Sequence, residues 1–372
     1  MRTVSSEEQR LIQESVAKLA DKEYVPHAEA LNHYPDCELP SRFVAGLAEL
    51  GLFDLLLPAD SGGGDGDLQT LSTALETLSE KLAAPAGILF AHSFAQQLAI
   101  SGGDKRSAER LAGNGTPTLL AYPIYDEPGD CASSVICRKE GKNLLLEGTC
   151  EFVVNAPIAN LLVIPVYQES KEHGCSIALI EPDRQGVEVG ESLLTLGLRG
   201  CPTADVILRG VKVNASELIP GACELTREMA RRFRGPASAI CAGITGSSLR
   251  TASGYAQERY QAGCNIIEHQ QVRSMLADML ADYQSACNAA DKLSSGETIS
   301  ESAAATLFVR AKEGAARAST DGVQLLGGYG YMEDYGQERR MRDAKQAQCL
   351  LGRTDPLRQD AVADWLTHEE AL

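Results

Sequence analysis

Arg259 and the glycine pair Gly327-Gly328 are, by residue type, well suited to holding a phosphorylated ligand. A guanidinium is a planar fork of donors that meets phosphate oxygens two at a time. Glycines let a backbone come close to a nucleotide. Arg259 stands in Arg259-Tyr260-Gln261-Ala262-Gly263, with Gln270 beyond it, and the glycines stand in Gln324-Leu325-Leu326-Gly327-Gly328-Tyr329-Gly330-Tyr331. On helical spacing alone Arg259 reads as a surface arginine paired with Glu258 or another acid.

Other chemistries lack their patterns. The six histidines, His27, His33, His92, His173, His269 and His368, show no metal-ligand spacing, so no metal is expected. The loop Ser61-Gly62-Gly63-Gly64-Asp65-Gly66 lacks the G-K-[ST] and the preceding strand of a phosphate loop. No G-x-S-x-G elbow offers a serine nucleophile. Eleven cysteines occur without a C-x-x-C pair, Cys131 and Cys137 being nearest neighbours, and they read as scattered reduced thiols of a cytoplasmic protein. Glu224 and Glu228 read as a solvated helix face, and Asp355 as a turn or cap residue before Pro356.

The elements that position these residues fall into three stretches. Residues 1–116 read as a helical domain: Ser5 and Glu8 form a capping-box pattern, and Leu11, Ile12, Val16 and Leu19 follow at helical spacing. Pro26 ends that helix. Arg42 to Leu50 and Leu68 to Leu82 supply two more. Residues 117–221 read as a β domain, with short runs at Thr118–Ile124, Asn143–Leu146, Leu161–Val166, Ser176–Ile180 and Ala204–Leu208 between Gly, Pro and polar turns. Such spacing predicts an antiparallel sheet or barrel. Residues 222–372 return to helical periodicity, with helices expected over Glu224 to Ala262, Ile266 to Leu293 and Ser302 to Leu326. Gly235-Pro236 is expected to interrupt or kink the first of them. The fold class is α+β.

The chain has 372 residues, 34 basic and 51 acidic, for a formal charge of −17. That balance argues against a nucleic-acid surface, which needs a clustered basic footprint. No apolar run approaches the roughly 20 residues that span a bilayer. The start, Met1 to Arg10, is polar and shows no secretory signal.

The run from Gln324 to Tyr331, followed by Met341-Arg342-Asp343-Ala344-Lys345, resembles the C-terminal signature of the acyl-CoA dehydrogenase family. The resemblance spans nearly the whole chain. Ala48-Glu49-Leu50-Gly51-Leu52 with Pro58 and the glycine loop is similar to an early family segment. Gly197-Leu198-Arg199-Gly200 with Val211-Lys212-Val213 is similar to a later one. It implies an N-terminal helical domain, a middle β domain and a C-terminal four-helix bundle, with FAD shared between two subunits. The half that one subunit donates looks kept, in Arg259, Gln261, Gln270, Gln324, Gly327 and Gly328.

The receiving half looks eroded. The family strand W-[IV]-[ST]-N reads Phe152-Val153-Val154-Asn155, so the flavin-facing positions hold Phe152 and Val154, and valine cannot hydrogen-bond. The T-E-P-x-A-G-S-D strand reads Tyr125-Asp126-Glu127-Pro128-Gly129-Asp130-Cys131-Ala132, bringing in two acids. Where the family places its catalytic glutamate stands Leu351, which cannot take a proton. Asp355 is the candidate for a displaced base. The resemblance therefore implies a base-less subunit of a heterotetramer. It would lend FAD-binding residues to a base-bearing partner that dehydrogenates an acyl-CoA, the bulky or steroid type met in lipid degradation being one candidate. Electrons would pass to an electron-transferring flavoprotein. The alternatives are a self-sufficient flavoenzyme that uses Asp355, or a flavin-free scaffold on the same fold.

Overall fold

The computed structural model describes residues 6–102, 111, 118–129, 134–140, 143–168 and 174–369. Helix α1 (Glu7–Leu19) opens on Ser6, whose hydroxyl accepts the Gln9 N–H at 3.2 Å. The expected cap Ser5 lies outside the described residues, as do Asp130, Cys131, Ala132 and His173. Pro26 does not end the helical path, as the sequence predicts. The α-helix closes earlier, at Leu19, and a π turn (Ala20–Tyr24) and a 3-10 helix (Val25–His33) carry the chain on. Pro26 sits at the start of that 3-10 helix, where its missing N–H costs nothing.

Helices α2 (Leu39–Glu49), α3 (Leu68–Lys81) and α4 (Ala83–Gly102) complete the N-terminal layer. Asp67 caps α3 by accepting the Thr70 N–H at 2.7 Å. Helix α4 is apolar on nearly every face and buried along most of its length, as a helix packed on all sides must be.

The sheet contains β1 (Leu120–Ala121), β2 (Ile136–Glu140), β3 (Asn143–Val154), β4 (Leu161–Gln168), β5 (Cys175–Ile180), β6 (Val187–Val189), β7 (Thr203–Val213) and β8 (Leu218–Pro220). Its order is β6-β7-β3-β2-β4-β5-β8, with β1 paired to β4. Most pairs are antiparallel, but β1 and β2 both run parallel to β4, so the sheet is mixed. Strand β1 is shorter than its sequence run because Pro123 supplies no N–H to a ladder. Beyond Ala121 only the Tyr122–Val154 bridge continues.

The C-terminal layer holds α5 (Ala222–Glu258), α6 (Gln270–Ser294), α7 (Glu301–Leu326), α8 (Gln337–Ala347) and α9 (Thr354–Glu369). Helix α5 runs unbroken through Gly235-Pro236, contrary to the expected interruption. Residues 233–248 are all buried, and a Cβ on Gly235 would lie 2.2 Å from the Ser294 hydroxyl. Close packing on every side holds the helix where proline's local preference opposes it. One core cluster links all three layers, running from Phe53 and Phe94 through Tyr122 and Val163 to Phe233 and Phe308. No helix of the described residues is long and apolar enough to cross a membrane.

Candidate functional site

Two cavities contain some of the residues singled out above, and they share no lining residue. The first, of about 320 Å³, opens where the sheet, α4, the start of α5 and the loop after α8 meet. Tyr122, Ile124, Asp126, Glu127, Pro128 and Gly129 form one side, Thr149 to Phe152 another, and Thr226 and Leu351 close it. Leu351 thus stands in the cavity wall. It is 3% exposed, its backbone is left-handed at φ +57°, and its N–H donates to the Ile124 carbonyl at 2.9 Å. Among the described residues three carboxylates, Asp126, Glu127 and Glu151, line this space and no Lys or Arg does. Glu127 accepts the Arg353 N–H at 3.2 Å. A Cβ on Gly352 would lie 2.9 Å from the Glu127 carboxylate, and its φ of +85° favours glycine.

Phe152 reaches this cavity because strand β3 bulges. Its register against β7 shifts between Cys150 and Val153, Phe152 takes φ +53°, and its N–H is held by the Asp205 carboxylate at 2.9 Å. Half of its surface is exposed. Val154 does not line the cavity. Its backbone pairs with Tyr122 in both directions and its side chain lies in the core. The bulge, invisible in residue type, turns the one residue outward and the other inward. Tyr122, beside it, is buried and hydrogen-bonded to the Thr226 side chain, and burial raises its phenol well above the ordinary value.

Asp355 is not at the cavity. It stands in the first turn of α9, largely exposed, and its carboxylate binds Arg358 at 2.9 Å. An acid there favours the helix N-terminus, so the displaced-base expectation has no geometric support. Glu224 is also exposed and pairs with Arg227 at 3.6 Å. The expectation of reduced thiols throughout is corrected at Cys223, which lines the cavity and is disulfide-bonded. It stands on the first turn of α5 beside the Gly129 turn, where a Cβ on Gly129 would lie 2.7 Å from the Cys223 carbonyl oxygen. Sequence spacing does not reveal such an approach. Nine other cysteines are free thiols.

The second cavity, of about 330 Å³, brings together Arg259, Gln261, Gly327 and Gly328, with Tyr255, Tyr329 and Met332 around them. Arg259 caps the end of α5. The chain then makes a small hairpin of β9 (Tyr260–Gln261) and β10 (Cys264–Asn265). Its turn residues Ala262 and Gly263 both have positive φ, the geometry that a two-residue hairpin loop needs. Arg259 is exposed and forms no ion pair among the described residues, Glu258 included. A Cβ on Gly327 or Gly328 would meet only open space. Tyr255, Tyr329 and Tyr335 pack on one another with centroids 5.6 to 6.3 Å apart. Gln270, first residue of α6, and Gln324, near the end of α7, are exposed and do not line the cavity. The Gln324 carbonyl instead accepts the Gly327 N–H that ends its helix.

The Arg342-Asp343 signature ties the layers together. Buried Asp343 accepts the Leu198 N–H at 2.7 Å, holding Leu198 at φ +47°, and burial raises its carboxyl pKa. One residue that sequence reasoning missed is Lys312. Its ammonium is wholly buried and donates to the Leu350 and Gly352 carbonyls on either side of Leu351. The available signal was a lysine inside the apolar stripe Ala304, Phe308, Ala311, Ala315 of a helix. Among the described residues no cluster could hold a metal.

A helical layer, a mixed sheet and a helical bundle, with one cavity at their junction and a second, arginine-bearing one on the bundle, define a layered α+β protein with two separate candidate ligand sites. Profiles of the acyl-CoA dehydrogenase N-terminal and C-terminal domains match residues 6–112 and 224–366. The cyclohex-1-ene-1-carbonyl-CoA dehydrogenase of Geobacter metallireducens is 29% identical over 365 residues, covering 93% of this chain and 95% of that one. The butyryl-CoA dehydrogenase of Megasphaera elsdenii superimposes with a TM-score of 0.86 at 24% identity, over 98% of this chain and all of the other. PigA, solved as an FAD complex, gives 0.87 at 21% identity, over 99% of both chains. The chain belongs to the acyl-CoA dehydrogenase family of flavoenzymes.

Proposed function

We propose that this chain is the base-less member of a two-chain acyl-CoA dehydrogenase. Its second cavity grips the adenosine and pyrophosphate end of an FAD seated mainly in a related, base-bearing partner. The pair removes an α-proton and a β-hydride from an acyl-CoA and leaves a 2-enoyl-CoA. Electrons then pass to an electron-transferring flavoprotein. The observation that carries this reading is Leu351, an apolar side chain buried in the cavity wall, at the position that the sequence resemblance gives to the family's base. A proton abstracted beside a thioester needs a carboxylate within reach of that carbon.

The second cavity fits a nucleotide. The free guanidinium of Arg259, the Gln261 amide and the open backbone at Gly327 and Gly328 face one space. The first cavity fits a flat uncharged ring, against which Phe152 can stack, better than a phosphate, which Asp126, Glu127 and Glu151 would repel. FAD, when bound, supplies the hydride acceptor. The name of the Geobacter relative supports a bulky, cyclic acyl group.

The test is visible flavin absorbance per chain, for the protein alone and co-purified with a base-bearing paralogue. Flavin near one per pair, and only in the pair, is expected. Flavin near one per chain in the protein alone would overturn the lending role, and no flavin in either preparation would leave a scaffold.

A further inference from the structure

We infer that Lys312 is a positioning residue: from behind the loop it holds Leu351 in its left-handed backbone and so fixes the apolar wall of the first cavity. This rests on that cavity being a ligand seat. Lys312, on α7, has no exposed surface. Its ammonium donates to the Leu350 carbonyl at 3.0 Å and to the Gly352 carbonyl at 2.8 Å, and lies 4.7 Å from the centre of the Phe308 ring.

The two carbonyls belong to peptide units whose N–H groups point the other way. The Leu351 N–H donates to Ile124 at 2.9 Å, and the Arg353 N–H donates to the Glu127 carboxylate at 3.2 Å. Two short hydrogen-bonded chains therefore run from one buried cation, through the loop, to the β domain. Each bond polarises the next, because the peptide dipoles line up.

A leucine at φ +57° is strained, since its Cβ crowds the backbone in that region. Gly352, at φ +85°, takes a backbone that favours glycine. Something must pin this loop, and the lysine grips it on both sides of the strained residue. Methionine would fill the same space without desolvating a charge, so packing alone gives no reason for an ammonium. Burial lowers the Lys312 pKa to about 8, so the charged form prevails near neutral pH.

The experiment is hydrogen exchange by mass spectrometry on the full chain, reading the loop amides 349–354 in wild type, Lys312→Met, Leu351→Gly and the double variant. Lys312→Met is expected to speed exchange of this loop about tenfold or more while the centre of α5 is unchanged. Glycine adopts the left-handed backbone without strain. In the Leu351→Gly background the effect of Lys312→Met should therefore shrink by about fivefold or more. Equal acceleration in both backgrounds would mean that Lys312 supports the bundle and not the strained residue, and no acceleration would mean that the loop holds itself. Should Lys312→Met fail to fold, Lys312→Gln, which keeps an N–H donor, runs the same cycle with a smaller effect expected. Exchange is compared at equal flavin content, so its outcome is separate from the flavin ratio that tests the lending role.

Discussion

Six non-glycine residues among those described have a left-handed backbone: Asp65, Phe152, Asn155, Leu198, Ala262 and Leu351. Every one falls on a segment through which the chain resembles its family, from the glycine loop to the base position. At each of them the chain takes a turn that a Cβ disfavours, least so for asparagine and aspartate. Ala262 shows this in isolation. Replacing it by glycine should raise stability by about 0.5–1 kcal/mol, because the left-handed penalty outweighs the extra freedom of the unfolded chain. The midpoint of urea unfolding would report it, and an unchanged or lower midpoint would mean the hairpin carries no such strain.

His92 offers a second test. It is fully buried, its Nε2 lies 2.8 Å from the Phe53 carbonyl, and its Nδ1 accepts the Leu120 N–H. Desolvation lowers its pKa from 6.5 to about 4. Between those values the unfolded chain takes up a proton that the folded one refuses. Its contribution is thus fully present above pH 6.5 and is lost as pH falls toward 4, by about 3 kcal/mol in all. His92→Gln should flatten the dependence of stability on pH between 7 and 5, and an unaltered slope would show that other groups set it. Short motifs fix their own backbone, and Arg259, Gln261, Gly327 and Gly328, grouped from sequence, line one cavity. Val154, Gln270 and Gln324 lie off both cavities, because a bulge or a helix end decides where a side chain points.

At the scale of elements, helix periodicity placed α2, α3, α6 and α7 within a few residues of their observed ends. Strand lengths and the parallel pairing of β1 and β2 with β4 were out of reach, since pairing depends on partners distant in the chain. The same holds for α5, where tertiary packing overrides Pro236. Signature segments that seemed separate in sequence turn out to be one joint. Gly197 lies against the middle of α8 so closely that a Cβ would stand 2.1 Å from the Arg342 carbonyl oxygen, and Asp343 holds the next N–H. Gly197→Ala should therefore part the sheet from the bundle and cost about 2 kcal/mol or more. Urea unfolding followed by circular dichroism would show it as a lowered midpoint, and a neutral result would mean the joint can shift to make room.

Taken whole, the molecule presents two cavities that share no lining residue, one lined among the described residues by carboxylates and no Lys or Arg, the other by the Arg259 guanidinium. A chain that served only itself would need both halves to be sound, whereas a lending chain needs only the second. The two cases part on Arg259→Ala. In a mixed complex that seats its flavin in the partner, losing the guanidinium removes charge-assisted bonds worth about 1.5–3 kcal/mol, so flavin affinity should fall roughly 10- to 100-fold. The partner's own base would be untouched, so activity should return when FAD is added in excess. Titrating FAD into the complex while following turnover would show the shifted midpoint with the plateau preserved. A plateau that stays low at saturating FAD, or a midpoint that does not move, would mean that Arg259 serves something other than the partner's flavin.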